Sequence, residues 1–281
     1  MAADPKIFRE YDIRGVAETD FSDAKLEKLS RSLGTYLRKH GSARSVTVGR
    51  DCRVSSTRIV QKLKEGLVDC GLQVIDVGMV PTPVLYFSVH HLRSDAGIMV
   101  TGSHNPPEYN GFKIALGSGT LFGEQIQQVR KIWDAGDFSQ GEGSAETVDV
   151  IEAYYKKIVG DIKHPLGLKV VCDSGNGMGG LVAPELFRRL GCEVIELFSE
   201  PDGTFPNHHP DPTVAENLVD CIAAVKKTGA HIGVGFDGDA DRIGAVDPTG
   251  RILYGDELLA LYARQVLKAN PGATIISDVK A

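Results

Sequence analysis

A serine and three aspartates offer the clearest chemistry in this chain. Thr101 to Pro106 reads Thr-Gly-Ser-His-Asn-Pro and follows an apolar run, Gly97 to Val100. A strand that stops at Val100 and turns through Gly102, where positive φ carries no steric cost, would present the Ser103 hydroxyl at a sheet end beside free backbone N–H groups. Such a place suits phosphate, although Gly, Ser, Asn and Pro are also the residues of an ordinary turn. The second stretch is Asp237-Gly238-Asp239-Ala240-Asp241-Arg242, again behind an apolar run, Ile232 to Phe236. Carboxylates at i, i+2 and i+4 fall on one side of an extended segment, and unpaired they would repel. An oxygen-only set with no further protein ligand suits Mg²⁺, which keeps water or substrate phosphate in its shell. A calcium EF-hand loop needs Gly at its sixth position and Glu at its twelfth, where this chain has Arg242 and Pro248. A solvated acidic turn is the remaining alternative.

A phosphate on Ser103 would add about −1.5 to −2 of charge near neutral pH, and something cationic must meet it. Mg²⁺ held by Asp237, Asp239 and Asp241 against one phosphoserine oxygen would withdraw charge from the breaking phosphorus–oxygen bond and stabilise the departing serine oxygen. Ser103 is then itself a metal ligand, and one ion joins two stretches that lie far apart in the chain.

These stretches resemble the α-D-phosphohexomutases, most closely the phosphomannomutase/phosphoglucomutase branch. The matching segments are Phe8 to Gly15 (FREYDIRG), Thr101 to Pro106, Asn110 to Lys113 (NGFK), Phe205 to Pro212 (FPNHHPDP), Asp237 to Arg242 and Asp278 to Lys280 (DVK), in the family's order and across the whole chain. The resemblance implies that phosphoserine gives its group to a hexose monophosphate, that a hexose 1,6-bisphosphate forms and turns over, and that the other phosphate returns to serine. It sets Arg14 and Lys113 to steady the transferred group, Arg242 to reach phosphate or a ligand carboxylate, and Lys280 and Arg9 to bind substrate. Arg suits bidentate phosphate contact and Lys a point charge. His104, beside the nucleophile, is either a proton acceptor or a loop hydrogen-bonding partner; a lone charge such as Arg9 is more often a surface ion pair. Family members also carry a sugar-selecting loop in a third domain and a phosphate-gripping Arg-x-Ser-Gly-Thr segment in a fourth. Neither is among these 281 residues. Without the remote binding energy of those parts, the polypeptide is expected to show little or no mutase activity alone.

The loops need strands to end on and helices to space them. A helical pattern from about Ser22 to Lys39 (Leu26, Leu29, Leu33, Leu37), with Gly41 past its end, precedes a strand, Val46 to Gly49, that ends in Arg50-Asp51. A second helix, about Ser55 to Cys70, stops at Gly71 before the strand Leu72 to Val77, and Pro81 and Pro83 open a third toward Leu92. Downstream the plan returns: strand Lys169 to Asp173, helix Met178 to Leu190, stop at Gly191, strand Glu193 to Leu197. Asp51 matches Asp173, Gly71 matches Gly191, and the serine strand matches the aspartate strand. The expected fold is α/β, with two tandem duplicated α/β/α domains of mixed sheets: residues 1–146 bearing the phosphoserine and 147–253 the metal. Residues 254–281 start an incomplete third, sugar-binding copy: a helix, Asp256 to Lys268, capped by Asp256, then a strand, Ala273 to Ser277, ending in Asp278. That strand would have no partners, and its edge invites self-association or pairing with a chain that supplies the missing domains. The polar, glycine-rich Ala135 to Ala145 reads as a linker.

Composition narrows the class of function. A net charge of −6 argues against a nucleic-acid partner. The five cysteines are scattered without C-x-x-C spacing, as in reduced cytosolic proteins. Met1 to Phe8 has no apolar signal region and no run is long enough to span a membrane. The expected setting is cytoplasmic, with a small phosphosugar substrate and no membrane partner. His208 and His209 are adjacent and lack zinc spacing. Phosphoglucosamine mutase shares the serine and aspartate logic, and a non-catalytic Mg²⁺-linked phosphoprotein or a phosphatase stays open.

Overall fold

The computed structural model describes residues 3–162 and 164–277. Its first sheet is built from β1 (Ile13–Val16), β2 (Ser45–Arg50), β3 (Gln73–Met79), β4 (Ala96–Val100), β5 (Tyr109–Leu116), β6 (Gly119–Thr120) and β7 (Ser144–Thr147). The order is β1-β5-β4-β2-β3-β7, with β6 on β5; β4, β2, β3 and β7 run parallel, and β5 is antiparallel to both β4 and β1. The helices are α1 (Ala17–Asp20), α2 (Asp23–Gly41), α3 (Ser56–Asp69), α4 (Thr82–His91) and α5 (Glu124–Ala135). Leu26, Leu29, Leu33 and Leu37 recur at helical spacing and put one face of α2 into the core, with Ile59, Leu63 and Leu67 of α3 and Ile126, Val129 and Trp133 of α5. Burying each such leucine contributes roughly 1.5–3 kcal/mol.

The second sheet contains β8 (Lys169–Asp173), β9 (Glu193–Leu197), β10 (Ile232–Phe236), β11 (Ile243–Val246) and β12 (Ile252–Leu253), with α6 (Ile151–Asp161), α7 (Ala183–Arg189) and α8 (Val219–Thr228); α9 (Gly255–Ala269) follows. Its order, β12-β11-β10-β8-β9, repeats the first sheet: β8, β9, β10 and β11 stand where β2, β3, β4 and β5 do, with the same parallel and antiparallel senses. The glycines that end the matching helices, Gly71 and Gly191, both have φ 79. In each sheet the chain goes from a central strand to one neighbour and then crosses to the other side. That leaves a crevice at the carboxyl ends of β2 and β4, and of β8 and β10, where such sheets bind ligands. Ser103 follows β4 and Asp237 follows β10. An apolar seam of Val84 and Leu85 from α4 with Val150, Tyr155 and Val182 joins the halves and turns the two crevices toward each other.

Several local expectations change. Met178 to Leu190 is not one helix: a 3-10 turn, Met178–Leu181, breaks at Val182 before α7. Pro184 lies in the first turn of α7, where its missing N–H costs nothing, so it starts a helix and cannot continue one. Gly41 is the last residue of α2, and Ser42 takes the left-handed turn at φ 50. The glycine serves packing, since a Cβ there would lie 2.5 Å from Leu116 Cδ1. The linker Ala135 to Ala145 ends inside a strand: β7 pairs with β3 from Gln73↔Ser144 to Asp76↔Thr147, across the division after residue 146. Edge pairing needs backbone alone, so exposed polar side chains gave no sign of it. The strand Ala273 to Ser277 does not form, because no neighbour offers it a ladder, and the edge that was to drive association is absent among the described residues. Asp278 and Lys280 lie outside the described residues. Asp256 sits in the first turn of α9 and is not its cap; Tyr254 is, its amide donating to Glu257 Oε2 at 3.2 Å.

Candidate active site

The serine loop is held in a conformation that few residues adopt. Gly102 does not take the positive φ; Ser103 does, at φ 50. This left-handed backbone costs a residue with a Cβ about 1–2 kcal/mol and is sustained by its surroundings. Gly102 N donates to Asp51 Oδ2 (3.1 Å), Ser103 N to Thr101 Oγ1 (2.8 Å) and Asn105 N to the Gly102 carbonyl (3.0 Å). These three amides are therefore engaged and do not form the free N–H cradle expected for phosphate. Gly102 is needed for close approach instead, since a Cβ would lie 2.4 Å from the Arg53 guanidinium carbon.

Arg53 is the residue that sequence reasoning missed. Its side chain is fully buried, and it donates to the carbonyls of Ser103 (2.8 Å), Asn105 (2.5 Å), Tyr109 (3.1 Å) and Pro106. Asp51 meets Arg53 Nε at 3.2 Å and also accepts from Ser56 Oγ. The one available signal was an Asp-x-Arg at the end of a duplicated strand.

Across from Ser103, the aspartates converge through a turn and not by strand alternation: β10 ends at Phe236 and Ala240 has φ 59. The three carboxylates bring ligand oxygens within 4.8 Å of one another. Ser103 Oγ donates to Asp237 Oδ2 at 2.8 Å. Asp237 Oδ1 closes the turn by accepting from the amides of Asp241 and Arg242, each at 3.0 Å. Thr82, at the start of α4, donates its amide to the Asp239 carbonyl (2.9 Å) and its hydroxyl to Asp239 Oδ2, and the positive end of the helix dipole favours that anion. Gly238 lets the loops touch, because a Cβ there would lie 2.3 Å from the Ser103 carbonyl oxygen.

Lys113 projects from β5 into the same cluster, its Nζ 2.6 Å from Asp239 Oδ2 and 2.5 Å from Asp241 Oδ2. Burial alone would lower its pKa, but Asp239 and Asp241 outweigh burial and hold the ammonium above its ordinary range. Burial, then the charges of Asp239 and Asp241, push the Asp237 carboxyl up to about 8. Asp239, although burial acts to raise it, is held below the ordinary carboxylate range by Lys113. Asp239 Oδ1 is buried with no hydrogen-bonding partner. An orphaned carboxylate oxygen, an all-oxygen donor set and an ammonium already drawn into it fit a hard divalent cation.

His104 Nδ1 lies 3.3 Å from Ser103 Oγ. Burial, then Arg242, lowers its pKa and favours the neutral ring. Arg14 is buried; it donates to the Gly102 carbonyl and to Asn105 Oδ1, each at 3.2 Å, and pairs with Asp12 at 2.6 Å. A cavity of about 450 Å³ opens over Ser103, and Arg9, Arg14, His104, Lys113 and Arg242 all line it. His208, set aside as a zinc ligand, bonds Asp173 Oδ1 at 3.0 Å through Nε2.

Residues 5–140 match the family model described as "Phosphoglucomutase/phosphomannomutase, alpha/beta/alpha domain I", and residues 151–250 match domain II of the same description. The chain is 51% identical over 274 residues to a phosphomannomutase/phosphoglucomutase of Pseudomonas aeruginosa, covering 98% of this chain and 59% of that protein. It is 46% identical over 277 residues to a phosphoglucomutase of Neisseria gonorrhoeae, covering 98% and 60%. The crystal structure of a phosphoglucomutase/phosphomannomutase family protein from Burkholderia thailandensis superposes with TM-score 0.95 at 47% identity, over all of this chain and 63% of that one. The chain thus spans about three-fifths of the length of the relatives it matches.

Proposed function

Because the chain belongs to the phosphoglucomutase/phosphomannomutase family of phosphohexomutases, we propose that it supplies the phosphoserine and metal site of a mutase that moves phosphate between the 1- and 6-positions of a hexose. The observation that carries this reading is the 2.8 Å contact between Ser103 Oγ and Asp237 Oδ2, which joins loops of two different sheets 134 residues apart. Asp237, Asp239 and Asp241, with Ser103, would hold Mg²⁺, which when bound withdraws charge from the serine oxygen.

The chain's own groups account for the rest. In the transfer from phosphoserine, the phosphorus–oxygen bond to Ser103 breaks, a bond to a sugar hydroxyl oxygen forms, the sugar hydroxyl gives up its proton and the serine oxygen gains one. In the return step Ser103 is the nucleophile and must lose its proton. His104, neutral and 3.3 Å away, is placed to accept it. Arg14 steadies the loop and faces the cavity, Lys113 neutralises the aspartates, and Arg242 and Arg9 line the wall where a phosphosugar's charge would lie. A hexose 1,6-bisphosphate is the intermediate that this exchange requires. We place the protein in the cytoplasm, where its five free cysteines stay reduced. Assayed as these 281 residues, it is expected to exchange phosphate with Ser103 and to show little or no mutase turnover.

Intact-mass spectrometry tests this. With Mg²⁺ and a hexose 1,6-bisphosphate, Ser103 should gain one phosphate, and a hexose monophosphate should remove it with release of sugar bisphosphate. Loss of the phosphate to water would make the site a phosphatase, and an inert mark would make it a binding module; either outcome contradicts the reading.

A further inference from the structure

We infer that Arg53 and Phe205 form a positioning pair through which the loop of the second sheet sets the serine loop of the first. The guanidinium of Arg53 has two close neighbours. One is the backbone of Gly102, so close that a Cβ there would meet the guanidinium carbon at 2.4 Å. The other is the ring of Phe205, its centroid 5.1 Å from the guanidinium carbon, within cation–π range. Its N–H groups reach the Ser103, Asn105, Pro106 and Tyr109 carbonyls.

Phe205 is itself fixed from the second sheet. Asp202 N donates to the Asn176 carbonyl at 2.8 Å, and Asn207 Nδ2 to Asn176 Oδ1 at 2.7 Å. Gly203 presses on the backbone of Arg53, where a Cβ would lie 2.5 Å from its Cα. Four carbonyls of the serine loop therefore rest on one cation, in addition to the loop's contacts with Asp51, Thr101 and Arg14, and a ring from the second sheet's loop packs against that cation. Neither residue reaches the cavity over Ser103; both act through the loop. Five donors in a rigid fork can satisfy several carbonyls at once, whereas an ammonium cannot.

The kinetic consequence rests on the proposed transfer reaction; the structural consequence does not. Phe205→Leu removes the ring and keeps an apolar side chain, Phe205→Tyr keeps the ring, and Arg53→Lys keeps the charge without the fork. The test has two readouts on the full chain. The first is amide hydrogen exchange of residues 101–109, which should quicken on the order of tenfold in Phe205→Leu and Arg53→Lys and stay at the wild-type rate in Phe205→Tyr. The second is phosphate gain by Ser103 from glucose 1,6-bisphosphate with Mg²⁺. Its limiting rate should fall on the order of tenfold in Phe205→Leu, with the half-saturating concentration unchanged. Unchanged exchange in Phe205→Leu, an equal effect of Phe205→Tyr, or a shift in half-saturation at an unchanged limiting rate would overturn the inference. If the wild-type chain takes up no phosphate, the transfer reading falls, and the exchange rates still decide the positioning role.

Discussion

Gly238→Ala is the substitution that most sharply tests the contact between the two loops. An ideal Cβ at this position would lie 2.3 Å from the Ser103 carbonyl oxygen, 3.2 Å from its carbonyl carbon and 3.5 Å from Pro210 Cγ. Ordinary carbon–oxygen contacts stand at about 3.3 Å or more, so the loops must part by about 1 Å. Gly238 is not among the positive-φ glycines, so alanine strains no backbone and the whole effect comes from separation. A displacement of about 1 Å at a reacting group can cost on the order of 100-fold in rate, or about 2.7 kcal/mol of transition-state stabilisation. Overpacking adds a stability cost of about 1–3 kcal/mol, which thermal unfolding would read separately. The assay is single-turnover phosphate gain by Ser103, followed by intact mass. Gly119→Ala, where a Cβ would meet nothing within 4 Å, is the control and should match wild type. A Gly238→Ala protein that takes up phosphate at the wild-type rate would refute the argument that these loops must touch to react.

Other substitutions probe the electrostatics. Lys113→Met leaves buried Asp239 and partly buried Asp241 without their cation, and should lower metal-free stability by about 3–5 kcal/mol; Mg²⁺ should raise its thermal midpoint more than that of wild type, and an equal shift would count against a shared cation site. Mg²⁺ affinity should weaken as pH falls below about 8, where burial and the neighbouring carboxylates keep the Asp237 carboxyl protonated, and calorimetry in buffers of differing ionisation heat should show proton release on binding. The His208 pKa is raised by the hydrogen bond to Asp173, against burial, so folding favours the charged ring. That stabilisation is fully present below about pH 6.5, the unfolded value, and is lost as pH rises through the folded value; urea titrations of His208→Asn should lack this slope. The catalytic cycle offers a fourth test: a coupled assay of the 281-residue chain should show turnover far below that of a longer relative, and comparable rates would contradict the need for remote binding contacts.

Much of the frame could be read from pattern alone, because buried strands and amphipathic helices leave regular traces. The strands Lys169 to Asp173 and Glu193 to Leu197 have the expected bounds, and the leucines of α2 face the core as their spacing requires. The duplication was visible in Gly71 and Gly191, which end matching helices with the same left-handed turn. Elements held together by backbone pairing were not visible. The strand β7 carries Ser144, Ala145, Glu146 and Thr147, all exposed, and nothing in those side chains marks a sheet edge. The nucleophile loop and the acid loop were found by composition, but the reasons offered for their shapes were local and partly mistaken. Gly102 yields room to Arg53 and does not supply the turn, and the aspartates converge in a bend and not along a strand. Arg53 was hard to read because its partners are carbonyls 50 to 56 residues away, and the Asp-x-Arg at the strand end was its one local trace. Thr82, which fastens Asp239 from the first sheet, is an ordinary helix-start residue in sequence.

The central claim is that a serine from one sheet and three aspartates from another share a single divalent ion. Anomalous diffraction from crystals grown with Mn²⁺ in place of Mg²⁺ tests this most directly. The account predicts one strong peak between the loops, at coordination distance from Asp237, Asp239, Asp241 and an oxygen on Ser103, with the Lys113 ammonium displaced from the carboxylates it now meets. A peak elsewhere, or none between these loops at saturating metal, would contradict it.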